Sequence, residues 1–76
     1  MARLVRRFSG HRLRALRREA GISRTALAVM VGRCEHTLYL WERGRVAPRG
    51  DALVRLAAAL GCTVDDLLVE VEEACA

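Results

Sequence analysis

All thirteen basic residues of this chain are arginine, and twelve of them fall before residue 50, where only Glu19, Glu35 and Glu42 oppose them. A guanidinium grips phosphate oxygens in a two-pronged fork and displaces the counterions that surround nucleic acid, so a front half of this composition suits a polyanion. Residues 50–76 reverse the sign, with Arg55 against six acids, and are not expected at that surface. Other chemistry-bearing types are sparse. Cys34, Cys62 and Cys75 are odd in number and irregularly spaced, which argues against a disulfide framework and for a reducing compartment, the cytoplasm by default. Cys34, His36, Cys62 and Cys75 fit no zinc spacing, Cys62 being expected inside the turn after Gly61. His11 and His36 stand alone, and no glycine-rich phosphate loop or nucleophile motif is present. No catalytic residue, metal or cofactor is expected.

The elements that must position the arginines are helices, because apolar residues recur at helical spacing and no stretch shows sustained strand alternation. Ser9 is placed to cap a first helix with a stripe of Leu13, Leu16 and Ala20, ended by Gly21. Ser23 opens a second through Leu27, Ala28 and Val31 to Gly32, and a tight turn leads to a third over Glu35 to Arg43. Cys34 holds the position of that helix's cap, which it fills weakly or not at all. As a thiol it is either regulatory or, the preferred reading, buried and inert. Pro48 sits near the first turn of a fourth helix carrying Leu53, Leu56, Ala57 and Leu60 and closed by Gly61. Thr63 caps a fifth, with Asp65 and Asp66 at its positive end and Leu67, Leu68 and Val71 turned inward. The expected fold is all-α, a compact five-helix bundle in one domain over 9–71. Residues 1–8 form a flexible basic arm, unless Phe8 staples onto the first helix, and 72–76 an acidic tail. The amino terminus lacks the apolar run of a signal peptide, and nothing approaches a membrane span.

Two charges point the wrong way in this scheme. The 100° helical step puts Leu38, Trp41 and Glu42 on one side of the third helix and sends His36, Leu40 and Arg43 to the other, so a glutamate faces in and a leucine faces out. Arg17 lies four residues beyond Leu13, on or beside the buried stripe of the first helix. Two charges entering one small core separately would each cost several kcal/mol, roughly, whereas a paired guanidinium and carboxylate offset much of that. Arg17 and Glu42 are therefore expected to meet, the alternative being that both side chains snorkel to water.

Read together, LRALRREAGISRTALAVMVGRCEHTLYLWERGRVAP and LVRLAAALGCTVDDLL resemble the phage-repressor and Cro class of helix-turn-helix regulators, the XRE family, from about Arg12 to Leu68. The most specific parts are the GIS-R-x-x-LA helix start, TL-x-x-WERGR-x-x-P and LA-x-ALG-C-x-VDDLL. The resemblance implies a lambda-repressor-like domain in which the second and third helices read DNA and Arg17 and Glu42 form a buried pair. It also gives the outward leucine a task, since a recognition helix presents its solvent face to base edges in the major groove. Base contacts would come from Glu35, His36 and Leu40, with Tyr39 at the flank. Glu35 would accept from a cytosine amino group, His36 donate to a purine acceptor and Leu40 pack on a thymine methyl. Phosphate contacts would come from Arg24, Arg33, Thr37, Arg43, Arg45 and Arg49. The chain departs from the family at Arg24, often glutamine, at Arg33, usually small and apolar, and in the Glu35 and Leu40 of its reading face.

The function implied is a sequence-specific regulator, such as a repressor, of double-stranded DNA, paired as a homodimer over two half-sites. Val69, with the Val64 end of the fifth helix and the acidic tail to Ala76, is the expected dimer contact. A second reading keeps the bundle but makes Tyr39, Leu40 and Trp41 an apolar contact for a protein partner, without DNA. An antitoxin, binding both its operator and a toxin, would share the DNA surface.

Overall fold

Ser9 and Ser23 act as their positions predict. In the computed structural model, which describes residues 2–74, the Ser9 hydroxyl accepts the Arg12 amide at 3.2 Å and opens α1 (Gly10–Glu19). The Ser23 hydroxyl accepts the Ala26 amide at 3.0 Å and opens α2 (Arg24–Val31). Each bond satisfies an amide that the first helical turn leaves unpaired. At the end of α2, Gly32 takes φ 69°, a left-handed conformation that lets the Arg33 amide turn back to the Ala28 carbonyl at 2.9 Å. Only Gly32, Arg33 and Cys34 separate α2 from α3 (Glu35–Glu42), and α4 (Gly50–Leu60) follows a loop in which Pro48 is buried.

Leu13, Leu27, Leu38 and Leu56, one from each helix, are fully buried with Leu67 in a single core that also takes in Ala28, Val31, Trp41, Ala52 and Ala57. Each such leucine contributes about 1.5–3 kcal/mol relative to exposure. Leu16, Leu53 and Leu60 reach this core only half-buried, and Ala20 is exposed. The first helix also meets the third by backbone contact. A Cβ added at Gly10 would stand within 2.5 Å of the Glu42 carbonyl oxygen and closer still to that of Trp41.

The fold is not all-α. The expected fifth helix is one 3-10 turn, Val64–Leu67, after which Leu68–Ala74 is strand β2. Thr63 does cap that turn, in a reciprocal box with Asp66: the Asp66 amide donates to Thr63 Oγ1 at 3.2 Å and the Thr63 amide to Asp66 Oδ2 at 3.0 Å. Those bonds hold the Asp66 carboxyl below its ordinary range. Where a basic arm was expected over 1–8 stands strand β1 (Ala2–Phe8), antiparallel to β2 with Ala2 opposite Ala74 and Phe8 opposite Leu68. Acidic residues of the expected tail, Glu72 and Glu73, therefore belong to a two-stranded ribbon; Met1, Cys75 and Ala76 lie outside the described residues.

The reason lies in the letters VEVE, Val69 to Glu72, which alternate apolar and acidic and carry β-branched valine at both apolar positions. Leu67, Leu68 and Val71 also satisfy a helical spacing, and so short a run does not separate the two periods. The partner strand decides. Arg3 and Arg7 both pair with Glu73, and Arg6 Nη1 reaches Asp65 Oδ1 at 2.6 Å, so the basic start and the acidic end neutralise one another. Phe8 packs against the core at the ribbon's base, and the rest stands out from the bundle, giving extents of 42 × 21 × 20 Å.

Candidate nucleic-acid interface

The third helix is fixed from inside by the two charges that pointed inward. Arg17 Nε donates to Glu42 Oε2 at 2.6 Å and Arg17 Nη2 to Glu42 Oε1 at 3.2 Å, while Arg17 Nη1 donates to the Ile22 carbonyl at 2.9 Å. Their side chains are 12% and 3% exposed, so this is a buried, two-pronged pair and neither group snorkels. It ties α1, the turn before α2 and the end of α3 into one frame.

On the outer side of α3 a polar and cationic face assembles around Tyr39. The Arg24 guanidinium lies 5.2 Å from the centre of its ring and that of Arg43 6.0 Å, and the His36 ring stacks on it at 6.2 Å and 20°. Such cation–ring contacts hold long side chains in register at small energy, about 0.5–1 kcal/mol each when exposed. Glu35, at the start of α3, accepts the Thr25 hydroxyl at 2.8 Å and lies 3.5 Å from Arg24 Nε. Arg24 Nη1 is also 3.9 Å from Glu42. Arg24 thus sits between the carboxylate of the outer face and that of the inner pair, with a buried Nε that lacks a hydrogen-bond partner.

The cationic side chains proposed from the sequence fall into two groups. Arg24 and Arg43 line a shallow hollow with Arg14, Tyr39 and Glu42, and Arg45 joins Arg43, Arg14 and His11 in an adjoining one. Arg33 and Arg49 line a separate hollow beside Trp41 and Pro48, where Arg33 Nη2 is drawn to Asp51 at 3.7 Å. Thr37 is half-buried, its hydroxyl 3.2 Å from the Cys34 thiol.

Cys34 makes no capping bond and is exposed, which corrects the expectation of a buried, inert thiol; the hydrogen bond from Thr37 holds it below the usual thiol range. Cys62 is half-buried, and desolvation pushes it up. Leu40 is also half-buried rather than offered fully to water, and Trp41 is 4% exposed within the core. Trp41 is therefore withdrawn from the apolar surface of Tyr39, Leu40 and Trp41 expected for a protein partner, while Tyr39 stays exposed. Val64 lies on the 3-10 turn and Val69 on β2, so the two do not share the face of a fifth helix from which a dimer contact was expected. Arg14 and Thr25 were missed by sequence reasoning. Only the fold reveals that Arg14 stands beside the end of α3 and Thr25 beside its start.

Two helices joined by a three-residue turn, the second presenting a polar and cationic face, define a helix-turn-helix domain. The chain belongs to the helix-turn-helix domain family, whose model matches residues 10–70, and its similarities to known proteins are phage-repressor-like. It is 41% identical over 59 residues, 78% of its length, to Repressor protein C2 of Salmonella phage P22, and spans 27% of that relative. The solution structure of the DNA-binding domain of that repressor superposes with a TM-score of 0.76 at 38% identity, covering 80% of both chains. The P22 C2 repressor in complex with a synthetic operator superposes at 0.75 and 38%, covering 80% of this chain and 92% of that one. The restriction-modification controller protein C.AhdI from Aeromonas hydrophila gives 0.73 at 33%, covering 76% and 88%.

Proposed function

We propose that this chain is the reading domain of a sequence-specific transcriptional regulator, a repressor that binds double-stranded DNA through α3 in the major groove. The observation that carries the reading is the Tyr39 cluster, where Arg24 and Arg43 flank an aromatic ring on the outer face of a helix anchored by a buried ion pair. The likeness to a repressor crystallised with synthetic operator supports it. Arg43, Arg45 and Arg14 would hold phosphates at one end of α3, and Arg33, Thr37 and Arg49 the backbone on the other side. His36 would donate to a purine, Glu35 accept from a cytosine amino group, and the edge of Leu40 meet a thymine methyl, with Tyr39 alongside. Arg24 would contact a phosphate while neutralising Glu35.

The protein acts by occupancy and not as an enzyme, in the cytoplasm, as a homodimer on two half-sites. Selection from a random DNA pool tests specificity and half-site symmetry together. Replacing Arg43 and Arg45 by Ala is expected to lower affinity and to flatten the dependence of log K on log salt by about two phosphate contacts. Recovery of no enriched sequence, with an unchanged salt slope for the double variant, rejects the reading.

A further inference from the structure

We propose that the free edge of β1 is the surface through which two copies of this chain pair, in the antiparallel register that sets Leu4 against Leu4 of the second copy. The proposal rests on the reading of paired half-sites for its biological sense, but its geometry stands on the ribbon alone. A two-stranded ribbon is marginally stable by itself, and each of its edges carries a row of unpaired backbone donors and acceptors. This one stands out from the bundle with Leu4 68% exposed. Arginines at an edge ordinarily guard it, yet here Arg3 and Arg7 are turned onto Glu73 and Arg6 onto Asp65 of their own chain. The ribbon's three arginines balance Glu70, Glu72 and Glu73, so it fits neither a phosphate backbone nor a strongly basic partner. A strip balanced in this way fits its own copy.

Symmetry then selects the register. A two-fold axis perpendicular to an antiparallel sheet must pass beside one residue, which meets its own counterpart. On the β2 edge, an axis at Glu70, Glu72 or Glu73 sets that glutamate against itself, one at Val71 sets Glu70 against Glu72, and one at Val69 pairs only Leu68 to Glu70 before the strand gives way to the 3-10 turn. On the β1 edge, an axis at Arg3, Arg6 or Arg7 opposes arginines, one at Val5 sets Arg3 against Arg7, and one at Ala2 or Phe8 lies at a strand end and pairs almost nothing. At Leu4, Arg3 meets Val5 and Ala2 meets Arg6, with no like charges directly opposed. That matters because like charges across a strand pair destabilise it.

The remaining arrangement, β1 of one copy on β2 of the next, is complementary in charge but would stack protomers at about 9.6 Å per copy, two strand spacings. A body 20 Å across in its narrowest direction cannot repeat at that interval. Two-fold pairing at Leu4 instead sends the bundles to opposite ends, with the two Ser9 residues about 34 Å apart along the strands. Five-residue pairing buries less than the roughly 1,000 Å² of a stable interface, so the dimer is expected to be weak in free solution and to tighten on paired half-sites.

The test is oxidative crosslinking without DNA, in a chain carrying Cys34→Ser and Cys75→Ser. Leu4→Cys is expected to give about tenfold more disulfide-linked dimer than Glu72→Cys, because facing cross-strand residues meet disulfide geometry. Both positions are exposed on the ribbon, and a melting curve confirms that each variant folds. In sedimentation of otherwise unaltered protein, Leu4→Arg is expected to weaken self-association about tenfold. Equal crosslinking at both positions, an unlinked monomer at both, open filaments, or a different protein held on the β1 edge would each overturn the pairing. Since no DNA is present, failure of operator selection leaves this result unaffected, and failure here leaves the DNA reading to its own assay.

Discussion

At the residue scale, one ion pair decides where the recognition helix sits. Arg17 and Glu42 satisfy each other away from water, so removing one partner leaves an uncompensated charge in the core. Glu42→Ala is expected to destabilise the domain by about 3–5 kcal/mol, visible as a large fall in melting temperature. Replacing both residues by apolar ones of similar volume is expected to recover much of that loss. Cys34 presents a different kind of sensitivity. Its thiol is exposed, and the Thr37 hydroxyl favours the thiolate, whereas burial disfavours the thiolate of Cys62. As pH is raised from neutrality, alkylation mapped by peptide mass spectrometry is expected to mark Cys34 first, with Cys62 lagging. The inward charges were legible because a charge on an apolar stripe conflicts with its surroundings and demands a partner. Arg24 was only half legible, since its tie to Glu35 and Glu42 depends on the angle between two helices.

At the scale of elements, α1 and α3 touch through backbone. Gly10 lets the start of one helix lie directly on the terminal carbonyls of the other, and the Ser9 amide donates to the Leu67 carbonyl at 2.9 Å on the opposite side. Gly10→Ala pits two effects against each other. Helix propensity favours alanine by about 0.5–1 kcal/mol. Overlap with rigid carbonyls disfavours it by about 1–3 kcal/mol. The overlap is expected to win, lowering thermal stability and, on the proposed reading, weakening DNA binding together, because the displaced atoms belong to α3. Four helices were legible from capping serines, closing glycines and apolar spacing. The fifth was misread: Thr63, Asp65 and Asp66 signal a helical start faithfully, but the signal says nothing of how many turns follow.

At the scale of the whole molecule, the opposite charges of the two chain ends are a pairing device. Composition suggested that the basic front half would face a polyanion, and the proposed DNA surface keeps that assignment for α2, α3 and the loop after them. For Arg3, Arg6 and Arg7 it does not, because their carboxylate partners stand about sixty to seventy residues later in the chain. No local window holds both strands. The ribbon was therefore invisible to periodicity, although each strand alone carried half of the message.

Closing the chain on itself in this manner also fixes how the domain answers to mechanical load. With Ala2 opposite Ala74, a pull applied to both ends opens the ladder like a zipper, one rung after another, before tension reaches the helices. In an optical-tweezers trace, a soft early extension is expected ahead of the cooperative rupture of the helical body.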